Sequence, residues 1–219
     1  MKNKQKYFTQ GSFALLFFVI LGYTVKFYPA YLTALDGDFQ IWLRGELPDA
    51  LNSFYRLVTL LGNTPIILAY TALIAAFFYY VRKWRAEGIL MLGNILIMGV
   101  ASTVLKMVYN RERPSLEYLI EDPIGASFPS WHAASTMIVA LSLCIIMNQR
   151  VKTSQLSKRL LQALVILLAA TVGVSRLYIG VHYPSDVLAG WLLAIAIASI
   201  TYPFYDQKRF EWRFQSKQR

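Results

Sequence analysis

The 219-residue chain is 56% hydrophobic and 16% charged, with a positive mean hydropathy, a greasier balance than a water-soluble domain of this size carries. A single cysteine, Cys144, excludes a disulfide framework and any thiolate metal site built from this chain alone. The formal net charge of +10 raises nucleic acid as a partner, but the lysines and arginines sit in short segments between apolar runs, so a lipid bilayer is expected and no nucleic acid.

Six apolar stretches have the length a membrane-spanning helix needs: 12–32, 63–81, 88–109, 131–147, 160–179 and 185–205. The first is preceded by Lys2, Lys4 and Lys6 in the manner of a signal peptide. No small-residue cleavage site follows it, and the run continues past Thr24, so it reads as a retained helix. Between the first two stretches, 33–62 mixes Asp36, Asp38, Arg44, Glu46 and Asp49 with Phe39, Ile41, Trp42 and Leu43. From Pro48 onward, Leu51, Phe54 or Tyr55, Val58 and Leu61 recur at helical spacing. That spacing fits either a short amphipathic helix at the outer interface or an extension of the second span. Cys144, within the fourth stretch, reads as a small core residue.

Orientation follows from the loop charges. The N-terminus, 82–87, 148–159 and the tail after Tyr205 hold 15 Lys/Arg against 3 Asp/Glu, whereas the alternate segments hold 7 against 9. The expected fold is all-α: a six-transmembrane-helix bundle forming one domain over 1–219, both termini cytoplasmic, with 110–130 and 176–184 on the outer face. Lys26, Arg44 and Arg56 also fall near that face, as snorkelling interfacial cations or as ligands for an extra phosphate.

Ionisable groups near span ends are costly enough to require a reason. Three clusters pose the question: KMVYNRERP with Lys106 and Arg113, FPSWHA with Ser130 and His132, and SRLYIGVHYPSD with Arg176, His182 and Asp186. The topology derived from loop charges puts all three on the outer side, and His132 and His182 are the only histidines in the protein. Lys106, Arg113 and Arg176 can surround an oxyanion of two or more charges, and a phosphoryl group fits guanidinium forks well. Ser130 suits the N-cap of the fourth span, where its hydroxyl either only caps or also touches phosphate. A neutral imidazole can attack phosphorus and a protonated one can donate to the leaving oxygen. These roles go to His182 and His132 respectively. Pro184 suits a first helical turn, from which Asp186 can reach back and fix the His182 tautomer. A metal mechanism fits less well: Glu112, Glu117, Glu121 and Asp122 read as a solvated acidic loop, so neither metal nor other cofactor is expected.

Taken together, the three clusters resemble the signature of the type 2 phosphatidic acid phosphatase family. Lys106 through Arg113 and Pro114 match its first motif, and Ser175, Arg176, His182 and Asp186 its third. The second, Pro-Ser-Gly-His, is matched only in part by Pro129, Ser130, Trp131 and His132. The resemblance implies a membrane phosphatase working through a phosphohistidine on His182, with His132 as acid and no metal. Trp131 is the departure: it keeps the backbone N–H for an oxyanion but replaces a residue without a Cβ by a large ring. The indole either anchors the helix at the interface or narrows the pocket and alters substrate preference.

The expected partner is therefore a lipid phosphate: phosphatidylglycerophosphate, phosphatidic acid or undecaprenyl diphosphate, hydrolysed at the outer leaflet of a bacterial cell membrane. Transfer of the phosphate to a lipid or sugar acceptor is a second reading. A non-catalytic protein that binds or transports an anionic lipid is a third. Oligomeric state is not encoded in any motif of the chain.

Overall fold

The computed structural model describes residues 4–215; Lys2 and the tail residues Lys217 and Arg219, which contribute to the charge pattern, lie outside it. Eight α-helices are present among the described residues: α1 Lys4–Phe27, α2 Pro29–Arg44, α3 Asp49–Thr59, α4 Thr64–Ala76, α5 Arg85–Tyr109, α6 Trp131–Arg150, α7 Gln155–Tyr178 and α8 Pro184–Gln215. A π turn, Phe77–Val81, prolongs α4. Six of these segments are long and apolar enough to cross a membrane, and they correspond to the six expected stretches.

Two boundaries differ from expectation. The apolar run 12–32 is divided between helices, because Pro29 cannot donate to the preceding turn and instead begins α2; Tyr28 between them is non-helical. The first span therefore runs from Lys4 to Phe27. The helical character of α2 was hidden by an inverted pattern. Its buried residues are Asp36, Gln40 and Arg44, one every four positions, while Tyr31, Leu35, Phe39, Ile41 and Trp42 are exposed. Past Pro48, α3 is a helix in its own right. A 3₁₀ turn, Leu60–Gly62, and the extended Asn63 separate it from α4. It lies against α7, with the Tyr55 and Tyr178 rings in tilted contact at 4.4 Å between centroids and the Tyr178 hydroxyl donating to Asn52 Oδ1 at 3.0 Å.

Large apolar side chains such as Phe13, Phe17, Leu73, Leu96, Leu164 and Leu168 point outward, as they must when hydrocarbon is the solvent. Small residues fill the seams: Ala133, Ala134, Ala140, Ala189, Ala194 and Ala198 are buried where α6 and α8 meet their neighbours. The start of α1 runs beside the later part of α8, with Tyr7 and Tyr202 rings 4.0 Å apart, so these parts of the two helices lie at the same end of the bundle.

At that end the side chain of Glu87 is wholly buried. It accepts from Arg150 Nε at 2.6 Å and from the Tyr205 hydroxyl at 3.0 Å, with Arg209 Nε at 3.5 Å. This carboxylate ties α5, α6 and α8 together. Removing one member of a buried ion pair leaves the others uncompensated, at a cost of about 3–5 kcal/mol. Glu87→Ala is therefore expected to lower the thermal unfolding midpoint in detergent by several degrees, and an unchanged midpoint would show that the pair is solvated and carries no stability.

Candidate active site

Alternation of the spans brings the end of α5, the start of α6, the end of α7 and the start of α8 to the end of the bundle opposite the start of α1 and Glu87. Lys106 occupies the last turn of α5, which stops at Asn110 in a left-handed conformation (φ 42°). The chain then crosses the bundle as the loop 110–130. The Lys106 ammonium donates to the carbonyl of Ala126 in that loop. Arg113 donates to the Val181 carbonyl at 2.8 Å and, through Nε, to Gly125 at 3.0 Å. Arg176, 4% exposed in the last turn of α7, donates to Thr59 Oγ1 at 2.7 Å. These three cations and both histidines line one cavity of about 610 Å³.

His182 lies between α7 and α8, in a turn whose backbone is pinned by Gln40, which donates to the carbonyls of Leu177 (2.8 Å) and His182 (3.1 Å). Its Nδ1 is 3.4 Å from Asp186 Oδ2 and 3.3 Å from Ser127 Oγ; its Nε2 is 3.4 Å from Arg113 Nη1. This places the proton on Nδ1 and leaves the Nε2 lone pair toward the cation. Burial pushes the imidazole down to about 3 despite the opposing pull of Asp186, so the ring is neutral at neutral pH.

Asp186 is held from every side. Oδ2 accepts from the Tyr183 N–H at 2.9 Å and from the Ser127 hydroxyl, and Oδ1 accepts from Arg111 Nη1 at 2.7 Å. Arg111 in turn donates through Nη2 to Asp36 Oδ2 at 2.8 Å. Asp36 also accepts from the Ser185 N–H at 3.0 Å and from the Ser185 hydroxyl. The helix-start position of Asp186 and its reach back to His182 are as the sequence suggested.

On the facing wall, His132 in the first turn of α6 shares a hydrogen bond of 2.9 Å between Nε2 and Asn63 Oδ1. Gly62 makes that approach feasible: a Cβ there would lie 2.6 Å from the imidazole ring. Ser130 stands at the N-cap of α6, but the expected capping bond is not made. Its hydroxyl is buried without a partner, while its backbone N–H bonds the carbonyl of Asp186 at 3.0 Å. Trp131 is half-buried against the core and lines the cavity, its ring crossing Gly99 of α5.

All eight residues singled out from the sequence thus lie around this one site. Sequence reasoning missed Asp36, Arg111, Ser127, Ser185, Asn63 and Thr59. Arg111 had a signal, as a third ionisable residue inside KMVYNRERP, and Asp36, Gln40 and Arg44 had one in their fourfold spacing. Arg44 also corrects the idea of a snorkelling cation or spare phosphate ligand: it is buried, held by the Glu117 carbonyl at 2.6 Å. Glu112, Glu117, Glu121 and Asp122 are exposed, and among the described residues no three His, Cys, Asp or Glu side chains gather as metal ligands.

Two histidines, a fixed carboxylate and three cations thus surround one cavity of a helical bundle. The model of the PAP2 superfamily matches residues 66–210, and the chain belongs to that family. It is 30% identical over 165 residues to phosphatidylglycerophosphatase B of Bacillus subtilis, covering 73% of this chain and 78% of the relative. It is also 30% identical over 201 residues to an undecaprenyl-diphosphatase of Sulfolobus acidocaldarius, covering 85% and 87%. The crystal structure of a transmembrane PAP2-type phosphatidylglycerolphosphate phosphatase from Bacillus subtilis superposes with a TM-score of 0.80 at 26% identity, over 91% of this chain and 96% of that one. The protein is accordingly a multi-pass membrane enzyme, a metal-independent lipid phosphate phosphatase, and the non-catalytic binding or transport reading falls away.

The Asp36–Arg111–Asp186 clamp makes a structural prediction. Asp36→Ala leaves Arg111 with one carboxylate and removes the ion pair between α2 and the site, so a loss of about 3 kcal/mol is expected in thermal unfolding. Asp36→Asn, which keeps one of the two acceptor oxygens and the shape of the side chain, is expected to lose less. Equal losses would mean that shape, and not charge, holds α2.

Proposed function

We propose that the protein acts as a single membrane-embedded domain, both termini cytoplasmic, and hydrolyses a lipid phosphomonoester or diphosphate at the outer face of a bacterial cell membrane. The loop charges support the orientation, since the basic segments 82–87 and 148–159 flank the end of the bundle that carries Glu87. One observation carries the catalytic reading: a neutral His182, fixed at Nδ1 by Asp186 and Ser127, presents Nε2 to a cavity lined by three cations.

Phosphate oxygens lodge among Lys106, Arg113, Arg176 and the first turn of α6, with the Ser130 hydroxyl and the Trp131 N–H at hand. Nε2 of His182 attacks phosphorus; the P–N bond forms as the bond to the lipid oxygen breaks, and His132 gives that oxygen its proton. The phosphorylated ring is positive, and Asp186 balances that charge where it arises. Water, deprotonated by His132, then attacks phosphorus. The P–N bond returns its electron pair to Nε2 and inorganic phosphate leaves. The substrate is phosphatidylglycerophosphate, phosphatidic acid or undecaprenyl diphosphate, the first and last matching the activities named for the two relatives at 30% identity.

His182→Ala is expected to reduce phosphate release from short-chain phosphatidic acid on the order of 10³-fold or more, and radiolabelled phosphate should be trapped on the wild-type protein in an acid-labile bond. Release should be unaffected by a chelator. Chelator-sensitive turnover, or activity surviving His182→Ala, would overturn the mechanism.

His132→Ala should lose roughly 10²–10⁴-fold on lipid phosphates and much less on an aryl phosphate whose leaving group needs no proton. Gly62→Ala, which pushes the His132 ring aside, is expected to reduce kcat by at least about tenfold with little change in KM. A KM effect alone would place His132 in binding.

A further inference from the structure

One short segment touches two of the side chains that line the cavity. Residues 59–63 run from the end of α3 through the 3₁₀ turn to the start of α4. The Thr59 hydroxyl accepts from Arg176 at 2.7 Å, Gly62 gives room to the His132 ring, and Asn63 Oδ1 lies 2.9 Å from His132 Nε2. An amide oxygen can only accept, so the hydrogen in that bond belongs to Nε2. The ring atom nearest to where a Cβ of Gly62 would stand is Cδ2, at 2.6 Å, so the imidazole meets the segment along its Cδ2 and Nε2 side. Nδ1 is left on the far side of the ring. It makes no hydrogen bond among the described residues and is not closed off by burial, in a residue that lines the cavity.

Asn63 does not serve its own helix. It stands at the N-cap of α4, where an asparagine normally accepts from the N–H groups two and three residues on, yet its side chain makes no capping bond. Pro65 removes the first of those donors, which leaves the amide free to turn toward α6. The two histidines therefore have different partners. His182 Nδ1 faces the Asp186 carboxylate, which favours a positive ring. His132 faces a neutral amide, and the charged groups that line the cavity with it, Lys106 of α5, Arg113 of the 110–130 loop and Arg176 of α7, are all cations, His182 being the other titratable side chain there. A neutral acceptor orients an imidazolium without making it a weaker acid. We infer that Asn63 is the positioning residue of His132: by accepting from Nε2–H it fixes the tautomer and reserves Nδ1 for proton transfer. Nδ1–H passes to the lipid oxygen as the P–O bond breaks, leaving a neutral ring with its hydrogen on Nε2, and Nδ1 then takes the proton of the attacking water.

The inference rests on His132 being the acid and base, as proposed above. It is tested with Asn63→Ala, Asn63→Ser and Asn63→Asp on short-chain phosphatidic acid and on an aryl phosphate, in detergent. Asn63→Ala is expected to lower kcat on the lipid by roughly 10–10²-fold with KM little changed, and to lower it much less on the aryl phosphate. Asn63→Ser supplies a good N-cap that is too short to reach the ring, so it should be as slow as Asn63→Ala. Asn63→Asp keeps the acceptor and should recover most of kcat. Its carboxylate favours the charged imidazole, so the limb of the pH profile that His132→Ala abolishes should move upward by about one pH unit. In a His132→Ala background, Asn63→Ala should cost almost nothing further. Wild-type turnover by Asn63→Ser would make the residue a cap and overturn the inference. Equal losses on the two substrates, or an undiminished loss in the His132→Ala background, would overturn it as well. His132→Ala alone judges the underlying reading: if it slows both substrates equally, His132 is not the acid, whereas a selective loss there without one in Asn63→Ala refutes only the role of Asn63.

Discussion

Arg111 lies between two buried carboxylates, Asp36 of α2 and Asp186 of α8, and the geometry of the site depends on that arrangement. Burying three charges costs several kcal/mol each before any attraction is counted, so the cluster persists because each carboxylate oxygen and both terminal guanidinium nitrogens find a partner. Ser185, Ser127 and the Tyr183 N–H supply the remaining bonds. The result is a carboxylate at Asp186 that cannot rotate. A fixed Asp186 fixes Nδ1 of His182, and a fixed Nδ1 aims Nε2 into the cavity. The same guanidinium attaches α2 to the bundle, so a helix whose outward face is apolar also supports the position of His182.

The cations across the cavity follow a different logic. Lys106, Arg113 and Arg176 bond to backbone carbonyls and to the Thr59 hydroxyl, and none of the three is ion-paired among the described residues. Neutral acceptors hold the side chains in place without cancelling their charge. A group of positive charges at partly buried depth, left uncompensated by the protein, concentrates potential on one small volume and favours a dianion there. At the opposite end of the bundle the cations are ion-paired: Arg150 and Arg209 share Glu87, Arg209 also meets Asp206, and that cluster contributes to packing.

What the sequence made legible were contacts within a motif or at helix ends. His182 and Asp186 are four residues apart across a helix start, and Lys106, His132 and Arg176 fall at span ends that hydropathy alone locates. What it concealed were bonds between distant segments. Ser127 meets Asp186 across 59 positions, Asn63 meets His132 across 69, and Ser185 meets Asp36 across 149. No local period encodes such pairings. The helix α2 was concealed for a separate reason. A period of apolar residues identifies a helix by the face it hides, and α2 hides Asp36, Gln40 and Arg44 while turning Phe39, Ile41 and Trp42 outward. Beside hydrocarbon that is the stable arrangement, because lipid accepts the apolar face and the protein satisfies the polar one.

The substitution at Trp131 gains meaning from its neighbours. A glycine before His132 would leave space beside the histidine; here an indole fills it, yet the histidine still has room because Gly62 stands on its other side without a Cβ. Space around the imidazole has been kept by the residue across the cavity. The start of α6 also has no side-chain cap, so the first N–H groups of the helix keep their affinity for an anion, and the unpartnered Ser130 hydroxyl lies beside them. The indole itself lies toward Gly99 of α5, on the side of the cavity that leads away from Lys106 into apolar lining, so the cationic end of the cavity is left clear of its ring.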